Sequence, residues 1–259
     1  MRARLSPGIL VGSGLVLMLL LVLPTLALLV RAARPALGSA LLDPTVTAAL
    51  RLSLTTTAVS LLATVVFGTP VAYLLARYAF RGKVVLEALL DLPLVLPPVV
   101  AGLALLLLVG RRGLLGAPLA AAGVHVAFTS AAVVLAQLFV ASPLYIRSMK
   151  AAFRSTPGSL EAAAVTLHAT RLRAFRRVTL PLTVPAFVEG CVLAWTRALG
   201  EFGATIVVAG SLAGRTQTMP LAIYAELERN LDAALAMGAI LTLVAFALLL
   251  LFRRLTRGA

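Results

Sequence analysis

Cysteine and histidine are nearly missing from this chain of 259 residues: Cys191, His125 and His168 are all it has. A lone cysteine in an apolar run offers neither a disulfide framework nor a thiolate cluster. Two histidines do not make an imidazole-based metal site, so no metal is expected. Lysine is as scarce, and Lys83 and Lys150 are followed by valine and alanine. The chain therefore lacks the Gly-x-x-x-x-Gly-Lys-Ser/Thr phosphate loop and does not cradle ATP in that way. Energy for any work it does must come from another subunit or from an ion gradient. A His-Glu-x-x-His run is absent, which excludes a zinc protease of that kind. Of Asp43, Asp91 and Asp232, only Asp91 falls at membrane depth, so the paired aspartates of an intramembrane protease are missing too. His125 has no nucleophile motif near it, and no catalytic residue is expected.

What the chain has in excess is apolar sequence. Hydrophobic residues make up 61% and mean hydropathy is +1.05, where soluble domains hold roughly half. With about 20 apolar residues needed per helical crossing, six runs qualify, near 9–30, 52–76, 86–109, 124–146, 182–209 and 231–252. The fold class is thus all-α, a polytopic membrane protein of about six transmembrane helices in a lipid bilayer. No repeat or linker is visible, so residues 1–259 form one membrane domain. Arg2 and Arg4 before the first run, with the small residues of 36–40 after it, invite a signal-peptide reading. The run of about 22 residues exceeds the roughly 7–15 of a signal-peptide core, so it reads as a retained span.

A formal charge of +14 is of the size a nucleic-acid binder carries, but the basic residues sit between apolar runs and not in one patch interleaved with aromatics. Nucleic acid is not an expected partner. Topology accounts for the charge. An even number of spans puts both termini on one side; if that side is cytoplasmic, its loops hold 15 basic residues against 7 opposite, as positive-inside bias requires.

Two spans carry breakers and charge. The third holds Asp91, Pro93, Pro97 and Pro98; consecutive prolines break a helix, and broken backbone in a bilayer must be covered by protein or line a wet cavity. A pathway wall and a packing kink are both compatible with that. The fifth holds Glu189, Arg197, Gly200, Glu201 and Gly203. Arg197 and Glu201, four apart, can pair on a helix, which suits a structural or gating role, and the glycines permit close contact or a hinge.

Between the fourth and fifth runs lies a basic insert, about 151–181. Thr156 and Pro157 are expected to cap and begin a helix, and Leu160, Ala163, Ala164 and Leu167 give it a narrow apolar stripe. Such a helix can lie on headgroups or dock on a partner. Glu161-Ala162-Ala163, the apolar Leu167 and the Leu180-Pro181 ending resemble the EAA loop of permease subunits of bacterial ATP-binding-cassette importers. In that family the loop is a coupling helix docked on the ATPase, which assigns Leu160, Glu161, Ala162, Ala163, Ala164, Leu167 and His168 to docking. The family usually has glycine where this chain has His168, at a turn with φ > 0.

Further segments, Pro93 to Gly102, Gly110-Arg111-Arg112-Gly113, Arg197 to Thr205 and Gly214 to Tyr224, are similar to the molybdate permease family, with sulfate and tungstate permeases as relatives. The resemblance implies a homodimer of this chain in a bacterial or archaeal cytoplasmic (inner) membrane. It also implies two ATP-binding cassette subunits that bind ATP and Mg, and an extracytoplasmic oxyanion-binding protein, with no cofactor in this chain. Pro97, Pro98, Arg197, Gly200, Glu201, Gly203 and Thr205 become candidates for the translocation path or its gate; Thr205, Thr216 and Thr218 are candidate hydroxyl donors to the anion. A gradient-driven secondary carrier and a scaffold that recruits an ATPase remain as different classes.

Overall fold

The computed structural model describes residues 7–32, 38, 40 and 42–257, with side chains from 11 to 254. Arg2, Arg4, Arg34, Ala36, Leu37 and Ser39 lie outside the described residues. Helices α1 (Pro7–Ala32), α2 (Pro44–Arg77), α3 (Lys83–Val95), α4 (Pro98–Val109), α5 (Gly116–Ala121) and α6 (Ser130–Ser155) come first. They are followed by α7 (Gly158–Thr166), α8 (Arg171–Ala174), a π-helical turn (Phe175–Thr179), α9 (Leu180–Leu199), α10 (Gly203–Ala209), α11 (Met219–Leu227) and α12 (Leu231–Arg257). Among the described residues there is no strand.

Among the described residues, five helical segments are long and apolar enough to cross a membrane, and α3 with α4, bent by 117°, makes a sixth if the pair is taken as one span. Pro97 and Pro98 cause the bend. Pro97 forces Leu96 into extended backbone (ψ 134°) and Pro98 starts α4, where its missing N–H costs nothing. The fifth run is not one helix: α9 ends at Leu199, and Gly200, Glu201 and Phe202 separate it from α10. The fourth starts later and ends later than its apolar pattern suggests, because Arg147, Lys150 and Arg154 at its end are paired with Asp91 and Glu87 of α3.

Small residues set the packing. On α2, Ser53, Thr57, Ser60, Thr64, Gly68 and Ala72 face inward, while Val59, Leu62, Val66 and Phe67 are exposed. In lipid, apolar side chains gain little by burial, and close approach of small residues holds helices together instead. Tyr145 of α6 shows how tight this is: β-carbons added at Gly68 and Gly190 would lie 3.0 and 3.1 Å from its ring, and its hydroxyl meets Thr69 at 2.6 Å. One core cluster joins α2, α6 and α9 around Tyr145, Met149 and Phe153, and a second joins α4, α6 and α10 around Leu105, Val133 and Val208. Shared by both clusters, α6 is the spine between the two broken spans.

Candidate functional site

The breaks in the two irregular spans meet. A β-carbon added at Gly203 would fall 2.5 Å from the Pro98 β-carbon, and one at Gly102 would fall 2.7 Å from that of Val207. Only glycine admits α4 and α10 at this spacing. Pro97 and Pro98 are exposed, Gly200 is exposed and Gly203 is buried. Arg197 and Glu201 do pair, at 2.6 Å, but not along a continuous helix, since Glu201 lies in the gap. Its side chain is 1% exposed and bridges: one carboxylate oxygen takes Arg197, the other accepts the Ala204 N–H at 2.8 Å. The bond to Ala204 satisfies an otherwise open donor in the first turn of α10. A single carboxylate thus ties the end of α9 to the start of α10.

Thr205 and Thr218 are buried with hydroxyls that find no partner among the described residues. Thr216 differs, as its hydroxyl oxygen accepts the Leu212 N–H at 3.0 Å. Buried unpaired hydroxyls are uncommon and ask for an explanation.

At the other end of the bundle, the insert folds as α7 and α8 beside the ends of α2 and α6. Thr156 does not cap α7. Its hydroxyl and its N–H both bond back to the Ala152 carbonyl, closing α6, and Pro157 takes the capping place, one residue before the helix begins. Of the apolar stripe, Leu160, Ala163 and Leu167 are exposed, Leu167 by 82%, and Ala164 is half-buried. Ala162 and Val165 are exposed too, while Glu161 and Ala164 face the bundle.

Glu161 is the anchor. It accepts from Arg77 at 2.9 Å, from Tyr73 at 3.1 Å and from the Thr179 hydroxyl, while Arg77 also donates to the Thr156 carbonyl at 2.9 Å. Burial acts to raise the Glu161 carboxyl, but the hydrogen bonds from Thr179 and Tyr73 and the Arg77 charge outweigh it and hold it below the usual carboxylate range. Tyr73, Arg77 and Thr179 are site residues with no signal of their own in the sequence; Arg77 is 84 residues from its partner. Tyr73 also stacks edge-on against Phe153 and Phe175, at 5.4 and 5.2 Å, so one hydroxyl and one ring lock α2, α6 and the π-helical turn to the insert.

His168 has φ 63°. Its N–H bonds to Val165 O and that of Ala169 to Ala164 O, both at 3.0 Å, the pair of bonds that closes a helix in a Schellman turn, whose left-handed residue is usually glycine. Histidine here performs the turn the glycine would make.

Comparison with known proteins fits this geometry. The chain is 46% identical over 225 residues to the molybdenum transport system permease protein ModB of Mycobacterium tuberculosis, spanning 86% of this chain and 84% of that protein. It is 36% identical over 256 residues to the sulfate transport system permease protein CysT of Salmonella typhimurium, spanning 96% and 92%. Its fold matches a chain of a bacterial alginate ABC transporter crystallised with an alginate-pentasaccharide-bound periplasmic protein, with TM-score 0.76, 16% identity and coverage of 96% and 93%. Residues 68–258 match the model of the binding-protein-dependent transport system inner membrane component, and with its two broken spans meeting at Pro98 and Gly203 the chain belongs to that family of ABC importer permeases.

Proposed function

We propose that the chain is the transmembrane subunit of an ATP-driven oxyanion importer, with molybdate as cargo, and that it works as a homodimer between two ATPase subunits and an extracytoplasmic oxyanion-binding protein. The observation that carries the coupling role is α7, a helix with no fully buried side chain, held from behind by Glu161 while Leu160, Ala163 and Leu167 point away. An apolar face fixed in place by a charged anchor suits a groove on a partner. Leu160, Ala162, Ala163 and Leu167 make the contact; Glu161 and Ala164 hold the helix to the bundle, and His168 sets the turn after it. ATP and Mg are bound by the partner ATPase. The end with the insert faces the cytoplasm, with both termini on that side, a placement that the balance of basic residues supports.

Closure of the ATPase pair moves the two α7 helices, and the Glu161 anchor passes the displacement to α2 and to α9 through Thr179. Gly200 and Gly203 let α9 and α10 change their angle, and α4 follows because Pro98 rides on Gly203. Opening this seam exposes the Thr205 hydroxyl as a donor for a tetrahedral anion, which neutral donors bind without trapping; Thr218, just before α11, is a second candidate donor. The identity to the molybdenum permease favours molybdate; the longer alignment with the sulfate permease supports sulfate as the second reading. Reconstitution with the ATPase and binding protein, with molybdate, tungstate and sulfate supplied in turn, tests both. Uptake is expected to need ATP and to rank molybdate first.

A further inference from the structure

Glu189 is out of place for a residue of a membrane span. It follows Pro185 by one turn on α9 and precedes Gly190, whose added β-carbon would lie 3.2 Å from the Ser148 β-carbon of α6. Ser148 also donates to the Ala186 carbonyl at 3.0 Å. These contacts turn the Gly190 face onto α6 and set Glu189 at the level of residues 145–148. At 1.5 Å per residue, Glu189 is about 14 Å along α9 from Leu180, well inside a hydrocarbon layer about 30 Å thick. Its side chain is exposed and has no hydrogen-bond or ion-pair partner among the described residues. Among the described residues, Asp91 and Arg147 at this level pair with each other at 2.7 Å, and Glu189 is left uncompensated.

Three surroundings are possible for that face, and two are unfavourable. Acyl chains are among the most costly neighbours for a carboxylate. A dry seam between two copies related by an axis along the membrane normal would set Glu189 against the Glu189 of the partner subunit at equal height, and like charges at close range repel. Water is the third. The exposed residues Leu182, Pro185, Glu189, Leu193 and Gly200 form one stripe, at spacings of three, four and seven, from the basic end of α9 to the break beside Glu201.

We propose that this stripe walls an aqueous vestibule open to the end that carries the insert, and that Glu189 is an anion-repelling group placed beyond the Pro98–Gly203 seam. An anion that has passed the seam meets a carboxylate with no compensating cation and is driven on toward Arg171, Arg173, Arg176 and Arg177 at the mouth. Glu189 thereby speeds release and opposes return. The repelling role rests on the importer reading above; the wetness of the stripe does not.

The experiment uses the assembled complex in vesicles, with Cys191→Ala as background and Glu189→Cys added. The probe is a membrane-impermeant trimethylammonium methanethiosulfonate, with Leu20→Cys on the exposed face of α1 as the lipid-facing control. Labelling of Glu189→Cys without nucleotide should exceed the control at least about tenfold, since a thiolate forms in water and not in hydrocarbon. Labelling no faster than the control, with or without nucleotide, overturns the vestibule. In the otherwise unaltered chain, Glu189→Gln should lower maximal uptake about threefold or more with the half-saturating binding-protein concentration unchanged, and Glu189→Asp should restore it, because an effect confined to a later step leaves the first encounter intact. Wild-type maximal uptake by Glu189→Gln overturns the repelling role. Both readouts are independent of which anion is carried, so their failure is distinct from failure of the molybdate assignment.

Discussion

Gly203 and Pro98 are in contact so close that a methyl group added at 203 would fall 2.5 Å from the Pro98 β-carbon. Gly203→Ala must push α10 off α4, at a cost of about 1–3 kcal/mol for a small-to-large change in a packed site. The solubilised variant should melt earlier and lose uptake while it still retains the ATPase, because the insert lies at the other end of the bundle. Thermal unfolding and co-purification check the two parts separately.

The Glu161 anchor makes the seat of the insert dependent on pH. The folded carboxyl is held below its usual range, so its stabilising contribution is fully present above the unfolded value, about 4.3, and is lost as pH falls through the lower folded value. Amide exchange of residues 158–170, corrected for intrinsic rates, should stay protected from neutral pH to about pH 5 and rise below about pH 4. Glu161→Gln should exchange faster at neutral pH and show little of that dependence.

His168 adopts φ 63°, where a β-branched residue is strained and glycine is not. His168→Gly should leave the stability of the loop within about 1 kcal/mol and support transport, and His168→Val should destabilise it by about 1–2 kcal/mol. Local amide exchange measures both, and equal protection in the two variants would contradict the Schellman turn.

Leu167 is 82% exposed and Leu160 43%, so neither contributes much to the fold of the isolated subunit. Leu167→Asp should leave its melting temperature within a degree or so, as surface changes are usually worth under about 0.5 kcal/mol, and should reduce ATPase retention about tenfold or more, as truncating an interface anchor does.

How much of this is legible from sequence depends on where the partners lie. The six apolar runs and the Pro97–Pro98 break are visible because length and proline act locally. The gap at Gly200–Phe202 is not, since a four-residue spacing of Arg197 and Glu201 looks helical whether the helix continues or stops; here the bridge to the Ala204 N–H takes over. The helix of the insert is visible and its orientation is not. Glu161 on a polar loop looks solvent-facing, and what turns it inward is Arg77, supplied by α2 across 84 residues of chain. The inward stripe from Ser53 to Ala72 is present in the sequence as small residues at spacings of three and four, and an apolar count passes over it because in lipid the small polar residues are the ones buried.

ATP-driven import is tested most directly by uptake of radiolabelled molybdate into vesicles that hold this chain, the ATPase and the binding protein, with ATP inside the compartment the insert faces. Uptake should require all three proteins and ATP and should cease with Leu167→Asp. Uptake by this chain alone, abolished by an uncoupler and indifferent to ATP, would contradict ATP-driven import.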